Sequence, residues 1–183
     1  NVCIGSKTGI FYCFTQNSTD GTPLFQVPVG APIYQTAAAS QDGDRIYFGS
    51  EDMIPHCLLT ASGETCPEWD PYPIPGQSLF HYWPVVGKDK VIFTSMPYYP
   101  TDVIFADIED FFGSFTETDW SVVEPKLLEH LKTNPQYQTF FVLDALTGKK
   151  AYDTAAAHIG YHQDAFVPPI LLPSNELLLL YRG

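Results

Sequence analysis

Five polar residues could form a ligand-binding site: Gln35, His81, Tyr82, His162 and Asp164. Their imidazole and carboxylate groups can bind a metal or transfer protons near neutral pH. The five residues are far apart in the sequence, so only the fold can bring them together. The alternative is that they are structural residues, hydrogen-bonded beside a wet channel. The elements that carry them must decide between these interpretations.

Composition favours a soluble protein made of short strands. Of the 183 residues, 45% are hydrophobic and 15% are aromatic, and the sequence contains 13 glycines and 16 prolines. This composition suits many strands joined by tight turns. The formal charge of −12 repels nucleic acid and anionic membrane surfaces. No apolar stretch approaches the roughly 18 to 20 residues that span a bilayer, so we expect no membrane insertion.

The four cysteines fall into two pairs, each flanking a short turn. Cys3 and Cys13 lie on either side of one turn, and Cys57 and Cys66 lie on either side of another. Opposite positions in a hairpin are close enough for a disulfide, so we expect the pairs Cys3–Cys13 and Cys57–Cys66. Four reduced, buried thiols are the alternative, and the spacing does not suit zinc. Disulfides would place the protein outside the cytoplasm, as a secreted or periplasmic protein.

An internal repeat organises the sequence. The segment 44–50 recurs 45 residues later as 89–95, and once more at 175–181. Cys13 and Cys57 are 44 residues apart, which agrees with the same period. Each copy is preceded by an apolar segment and a turn, so a hairpin opens every unit. A second hairpin closes the unit, and four strands in such a period match one blade of a β-propeller.

The closing hairpin carries a motif that identifies a family resemblance. The run Asp144-Ala145-Leu146-Thr147-Gly148, followed by Tyr152, resembles the D-x-x-T-G turn and outer-strand aromatic of the pyrroloquinoline-quinone (PQQ)-like repeat. The other units match in part, with Gly63 and Trp69 in one and Phe25 in another. The resemblance implies an all-β fold, a partial β-propeller of about 3 to 4 four-stranded antiparallel blades.

The repeat divides the chain into one propeller segment, 1–183, with four units. Their approximate bounds are 1–33, 34–77, 78–160 and 161–183. Residues 96–138 interrupt the third unit between its second and third strands, and we expect them to form a partly helical insertion. Closed propellers typically have about four to eight blades. We therefore expect the chain to be part of a longer polypeptide or to close by association with other chains.

The PQQ-like resemblance also bears on catalysis. It implies that Gln35, His81, Tyr82, His162 and Asp164 lie on the innermost strands, which face the propeller axis. Dehydrogenases of this family hold a calcium-bound quinone with carboxylate ligands, and many carry two adjacent cysteines. This sequence has no adjacent pair, and Asp164 is the only inner-strand carboxylate. We therefore predict no catalytic residues, no metal and no cofactor. PQQ with calcium would be expected only if the chain were part of a dehydrogenase.

Three functions remain open. The favoured hypothesis is an extracytoplasmic, non-catalytic propeller that binds a protein or serves as a structural scaffold. Its partner would be another protein or further blades of the same polypeptide, and an oligomer is possible. The first alternative is a fragment of a PQQ-dependent quinoprotein oxidoreductase. The second is a carbohydrate-binding propeller, because an aromatic run could stack on sugars: Phe80, Tyr82, Trp83, Tyr98 and Tyr99.

One modification motif stands outside these hypotheses. Asn17-Ser18-Thr19 matches the N-glycosylation sequon. The motif has this meaning only in a secreted eukaryotic protein, and otherwise it is simply a turn.

Overall fold

A computed structural model gives the architecture of most of the repeat units. It describes residues 1–76, 78–79, 83–95, 110, 113, 120–133, 140–151, 170–171 and 177–178. These residues form three small antiparallel sheets and one further hairpin. The predicted fold class is confirmed: the chain is mostly β and forms a partial β-propeller with one partly helical insertion.

Each sheet consists of three strands that are consecutive in the chain. Blade 1 contains β1 (Val2–Gly5), β2 (Ile10–Phe14) and β3 (Phe25–Pro28). Blade 2 contains β4 (Ala38–Ala39), β5 (Arg45–Gly49) and β6 (Pro55–Leu59). Blade 3 contains β7 (Val85–Val86), β8 (Lys90–Thr94) and β9 (Phe140–Asp144). Blade 4 is the hairpin of β10 (Ile170–Leu171) and β11 (Leu177–Leu178).

The first strands of three successive blades contact one another. Strand β7 contacts β4 on one side and β10 on the other, so the short first strands of blades 2, 3 and 4 lie side by side. At the outer side of blades 2 and 3, a single bridge adds a fourth strand: Leu58 pairs with Thr65, and Leu143 pairs with Lys150. Helix α1 (Trp120–Thr133) lies in the sequence between β8 and β9, which pair directly with each other. The proposed unit boundaries stay predictions.

Burial explains why strands of different blades have different patterns of apolar residues. Strands β5, β8 and β9 are buried on both faces and are almost continuously apolar. Strand β2 instead alternates between buried and half-buried residues, as expected when only one face of a sheet is fully covered. Blades 2 and 3 are therefore enclosed between neighbours, whereas blade 1 is covered on one side.

The structure pairs Cys3 with Cys13 and Cys57 with Cys66, the two pairings that the sequence predicts. The first disulfide joins directly opposite residues of β1 and β2. The second joins β6 to the residue after the Thr65 bridge, where the Cys66 amide also donates to the Cys57 carbonyl oxygen at 2.9 Å. Each disulfide therefore fixes the register of one hairpin.

Apolar side chains from neighbouring blades make the core. Between blades 1 and 2, the Phe11 and Phe48 rings stack in parallel with their centroids 4.1 Å apart. Between blades 2 and 3, the core contains Tyr47, Phe93 and Phe141. Because stacked aromatic rings bury large apolar areas, these contacts between blades supply much of the hydrophobic stabilisation.

An aromatic side chain packs against a glycine where blade 1 meets blade 2 and where blade 2 meets blade 3. Phe25 of blade 1 lies against Gly63, and Trp69 of blade 2 lies against Gly148. Phe25 and Trp69 are 44 residues apart, so they occupy equivalent positions in the repeat. Both glycines have positive φ, at 75° and 74°, and their turns therefore favour glycine for its conformation as well as for its size. This contact gives a physical reason for the glycine and the aromatic of the repeat motif.

Alanine substitutions at two glycines distinguish the stability cost of disturbing the contact between blades from the cost of backbone strain. Gly63 and Gly43 have similar φ angles of 75° and 79°, so alanine should cost each about 1–2 kcal/mol through the left-handed backbone. A Cβ at Gly63 would lie 2.5 Å from Cδ2 of Phe25, whereas a Cβ at Gly43 meets nothing within 4 Å. We expect Gly63→Ala to lower the free energy of unfolding by a further ~1–3 kcal/mol, measured by urea denaturation. Equal losses in the two variants would contradict the packing described for Phe25.

Candidate interaction surfaces

The structure places one of the five predicted binding residues among its described elements. Gln35 is only 5% exposed, and its Oε1 accepts a hydrogen bond from the Gly49 amide at 3.1 Å. Among the described residues, its Nε2 has no hydrogen-bond partner. His81, Tyr82, His162 and Asp164 lie outside the described residues, so their convergence with Gln35 stays a prediction.

The position of Gln35 follows from the short first strand of blade 2. Strand β4 has two residues and pairs with only Tyr47 and Ile46 of β5. The Gln35 amide oxygen accepts the hydrogen bond of the Gly49 amide, two residues beyond Tyr47 on β5, in place of a backbone carbonyl. Gln35 therefore extends the pairing of β5 through its side chain, and this structural role is compatible with its burial.

Sequence reasoning missed a hydrogen-bonded cluster in the turn between β5 and β6. Ser50 Oγ donates to Asp52 Oδ1 and lies 2.7 Å from His56 Nε2. A hydroxyl carries one proton, so the serine accepts its second hydrogen bond from Nε2–H of the imidazole. The sequence indicates only that a serine, an aspartate and a histidine occur within seven positions of one hairpin. The fold shows that their side chains meet.

The cluster has the residue types of a catalytic triad but a different arrangement. Asp52 and His56 both bond to Ser50, whereas a triad requires the acid to orient the histidine. Ser50 is 1% exposed, and the His56 ring stacks on Phe48. Burial lowers the pKa of the His56 imidazole below its usual value, although the nearby Asp52 carboxylate acts in the opposite direction. The geometry fits a role in holding the turn.

Glu51 connects this turn to the segments that join the blades. Its carboxylate accepts hydrogen bonds from the Ser78 hydroxyl at 2.8 and 3.0 Å and from the Leu79 amide at 3.2 Å. Its own amide donates to the Pro32 carbonyl oxygen at 2.9 Å. Pro32 precedes blade 2, and Ser78 and Leu79 precede blade 3. One residue therefore links two successive connections between blades.

A cleft of about 520 Å³ lies between blades 2 and 3, and we call it the rim cleft. Turns 40–42, 87–89 and 144–146 line it, together with Arg45 and Tyr47. Tyr47 Oη donates to the Ala145 carbonyl oxygen at 2.8 Å, and Arg45 Nη1 donates to the same oxygen at 3.3 Å. These bonds close the floor of the cleft and hold blade 2 to the turn of blade 3.

The D-x-x-T-G turn at the rim cleft is held by its first residue. Asp144 Oδ1 accepts hydrogen bonds from the Leu146 amide, the Thr147 amide and the Thr147 hydroxyl, at 2.9 to 3.1 Å. Burial alone would raise the pKa of Asp144, but the hydrogen bonds from Thr147 and Leu146 outweigh it and lower the pKa. The carboxylate therefore stabilises the turn, and it presents Leu146, 46% exposed, at the cleft.

Blade 1 has an uncovered apolar face. Val2 pairs with Phe14 and Ile4 pairs with Tyr12, so these four side chains share one side of the sheet, which we call the open face. Val2 is 62% exposed and Ile4 is 59% exposed. Exposed apolar residues grouped in this way mark interaction sites more often than isolated ones do.

The repeat relates the open face of blade 1 to an equivalent face of blade 2. Adding the period of 44 residues to Val2, Ile4 and Phe14 gives the residues Ile46, Phe48 and Leu58 of blade 2. Those three residues are buried against blade 1, in the cluster that contains Phe11 and Phe25. In repeat position and in apolar character, the open face of blade 1 is therefore equivalent to the face of blade 2 that packs against blade 1.

Comparison with known proteins identifies the fold alone. No protein-family model and no curated protein matches the sequence. Among solved structures, the crystal structure of BamB from Moraxella catarrhalis is similar, with a TM-score of 0.59 and 15% sequence identity. The match covers 97% of this chain and 38% of the BamB chain. At this identity the likeness supports the β-propeller fold and carries no activity or partner to this chain.

Two features are absent from the residues that the structure describes. No helix among them is long and apolar enough to cross a membrane. Within the same residues, no group of three or more His, Cys, Asp or Glu side chains is arranged to hold a metal ion.

The lowered pKa of His56 predicts a pH dependence of stability. As the pH falls below about 6.5, the unfolded chain binds a proton at this residue while the folded chain resists protonation. His56 therefore lowers the free energy of unfolding with decreasing pH, by up to about 1.4 kcal/mol per pH unit. The variant His56→Gln keeps a donor toward Ser50 and lacks this titration.

The measurement is urea unfolding of both proteins between pH 8 and pH 5. The stability of the native chain should fall relative to His56→Gln as the pH decreases. A difference that is constant with pH, or that grows in favour of the native chain, would show that His56 is not held in its neutral form.

Proposed function

We propose that the chain belongs to an extracytoplasmic, non-catalytic β-propeller that serves as a protein-binding or structural scaffold. The observation that carries the proposal is the open face of blade 1. Four apolar side chains, Val2, Ile4, Tyr12 and Phe14, lie together there on one side of β1 and β2. Burying such a face stabilises a contact by about 25 cal/mol for each Å² of apolar surface removed from water.

The composition of the open face indicates what it binds. It combines aliphatic side chains with two aromatic rings, Tyr12 and Phe14, whose centroids are 6.3 Å apart. Aromatic residues are enriched and charged residues are depleted at the centres of protein interfaces. The face is also equivalent to the side of blade 2 that packs on blade 1. A protein surface, either a separate partner or further blades of the same polypeptide, therefore fits it best.

The described polar groups support a structural rather than a chemical role. The Asp144 carboxylate holds the D-x-x-T-G turn, and the Glu51 carboxylate holds the connection to blade 3. The Ser50 hydroxyl is buried under its own turn with His56. Side chains that maintain turns and contacts between blades make a rigid frame, and rigid frames suit the presentation of binding surfaces.

The two disulfides support a location outside the cytoplasm. Both lie within hairpins, at Cys3–Cys13 and Cys57–Cys66, and the described cysteines include no free thiol. Disulfides persist in oxidising compartments and are rare in the cytosol. This supports a secreted or periplasmic scaffold.

Site-specific photocrosslinking tests the role of the open face. A photoreactive phenylalanine analogue replaces Ile4 in the protein as its source organism makes it, and mass spectrometry identifies the crosslinked peptide. We expect a single protein segment to be captured from position 4. Leu24 is the matched control, because it is also apolar and exposed, at 43%, but lies in the loop between β2 and β3.

A second variant checks that the capture depends on the apolar character of the face. Val2→Asp should reduce crosslinking from position 4 at least tenfold, because a buried, unpaired charge strongly disfavours the contact. Crosslinks that are as diffuse from position 4 as from position 24, or that persist unchanged in Val2→Asp, would refute the proposed interface.

A further inference from the structure

The loop between β2 and β3 covers residues 15–24. It carries the sequon Asn17-Ser18-Thr19, and neither the open face nor the rim cleft includes these residues. The loop is therefore a feature that the scaffold role leaves unexplained.

The loop is held by hydrogen bonds that do not involve the side chains of Asn17 and Thr19. The Ser18 amide donates to the Thr15 carbonyl oxygen at 3.0 Å, which closes a reverse turn with Asn17 at its third position. The Ser18 hydroxyl donates to Asp20 Oδ1 at 3.1 Å, and the Thr22 amide donates to the same oxygen at 3.0 Å. The folded loop therefore does not depend on the side chains of Asn17 and Thr19.

Those two side chains are accessible. Asn17 and Thr19 are both exposed, and neither side chain makes a hydrogen bond to the part of the chain that the structure describes. Glycan transfer requires the asparagine carboxamide and the hydroxyl two residues later, with any residue except proline between them. Here the intervening residue is Ser18. The turn thus presents both required groups to solvent.

The disulfides give a second, independent indication. Cys13 lies four residues before Asn17, and its bond to Cys3 forms in an oxidising compartment. The endoplasmic reticulum lumen is such a compartment, and N-linked glycans belong to the surface loops of secreted proteins. A chain that acquires this disulfide there would expose its sequon to glycan transfer in the same place.

We propose that Asn17 is an N-glycosylation site. The donor is a lipid-linked oligosaccharide pyrophosphate. The Asn17 carboxamide nitrogen attacks the anomeric carbon of the sugar, a C–N bond forms, and the C–O bond to the pyrophosphate breaks. The lipid pyrophosphate leaves, and the amide gives up one proton, so no oxidant or reductant is needed. This inference rests on the proposed extracytoplasmic location, reached by the eukaryotic secretory route, and adds a covalent modification to the scaffold.

The test expresses the full chain behind a secretory signal in cultured eukaryotic cells. An amidase that removes N-linked glycans is applied to both the secreted and the cell-retained chain, and intact mass is measured before and after. We expect the whole glycan mass to be lost, leaving aspartate at position 17. Asn17→Gln and Thr19→Ala should each abolish the mass change. Ser18→Ala removes hydrogen bonds of the loop but keeps the sequon, so it should remain glycosylated.

Alkylation of the same samples without reduction distinguishes failure of this inference from failure of the proposed location. A chain with masked cysteines and no glycan at Asn17 would overturn the glycosylation site and leave the scaffold proposal standing. A chain with four reactive thiols and no glycan would contradict both. A glycan that persists in Asn17→Gln would also overturn the assignment.

Discussion

Packing of one small sheet against the next is the interaction on which this structure depends. The first strands of blades 2 and 3 have two residues each, and their fourth strands are single bridges. Sheets this small are marginal in isolation and need a packed face for stability. The stacked rings of Phe11 and Phe48, 4.1 Å apart, show how that face is supplied by a neighbouring blade. Hydrogen bonds donated by Tyr47 and Arg45, and those accepted by the Glu51 carboxylate, then fix the relative positions of the sheets.

The sequence predicts the elements that are local and periodic. Strands β5, β8 and β9 are recognisable as apolar runs, and the 44-residue period identifies the blades. The short turns between the paired cysteines identify both disulfides. Contacts between residues far apart in the chain leave no such pattern. Tyr47 and Ala145 are 98 residues apart, and no periodicity indicates that the tyrosine hydroxyl reaches that carbonyl oxygen.

The candidate site was less predictable than the fold for a related reason. Reasoning from inner-strand positions selected Gln35, which is buried, but it did not show that its amide would substitute for a backbone carbonyl at Gly49. The open face was also not foreseen. Val2 and Ile4 read as ordinary strand residues, and their exposure follows from which sides of blade 1 are covered, a property of the assembled sheets.

Contact between blade 1 and blade 2 through their aromatic rings is the central claim. Its most direct test is a nuclear Overhauser spectrum of the chain labelled selectively at phenylalanine. We expect cross-peaks between the rings of Phe11 and Phe48, and between Phe25 and the Gly63 α protons. Cross-peaks confined to residues of the same hairpin would show that the sheets form without stacking, and would contradict the propeller arrangement.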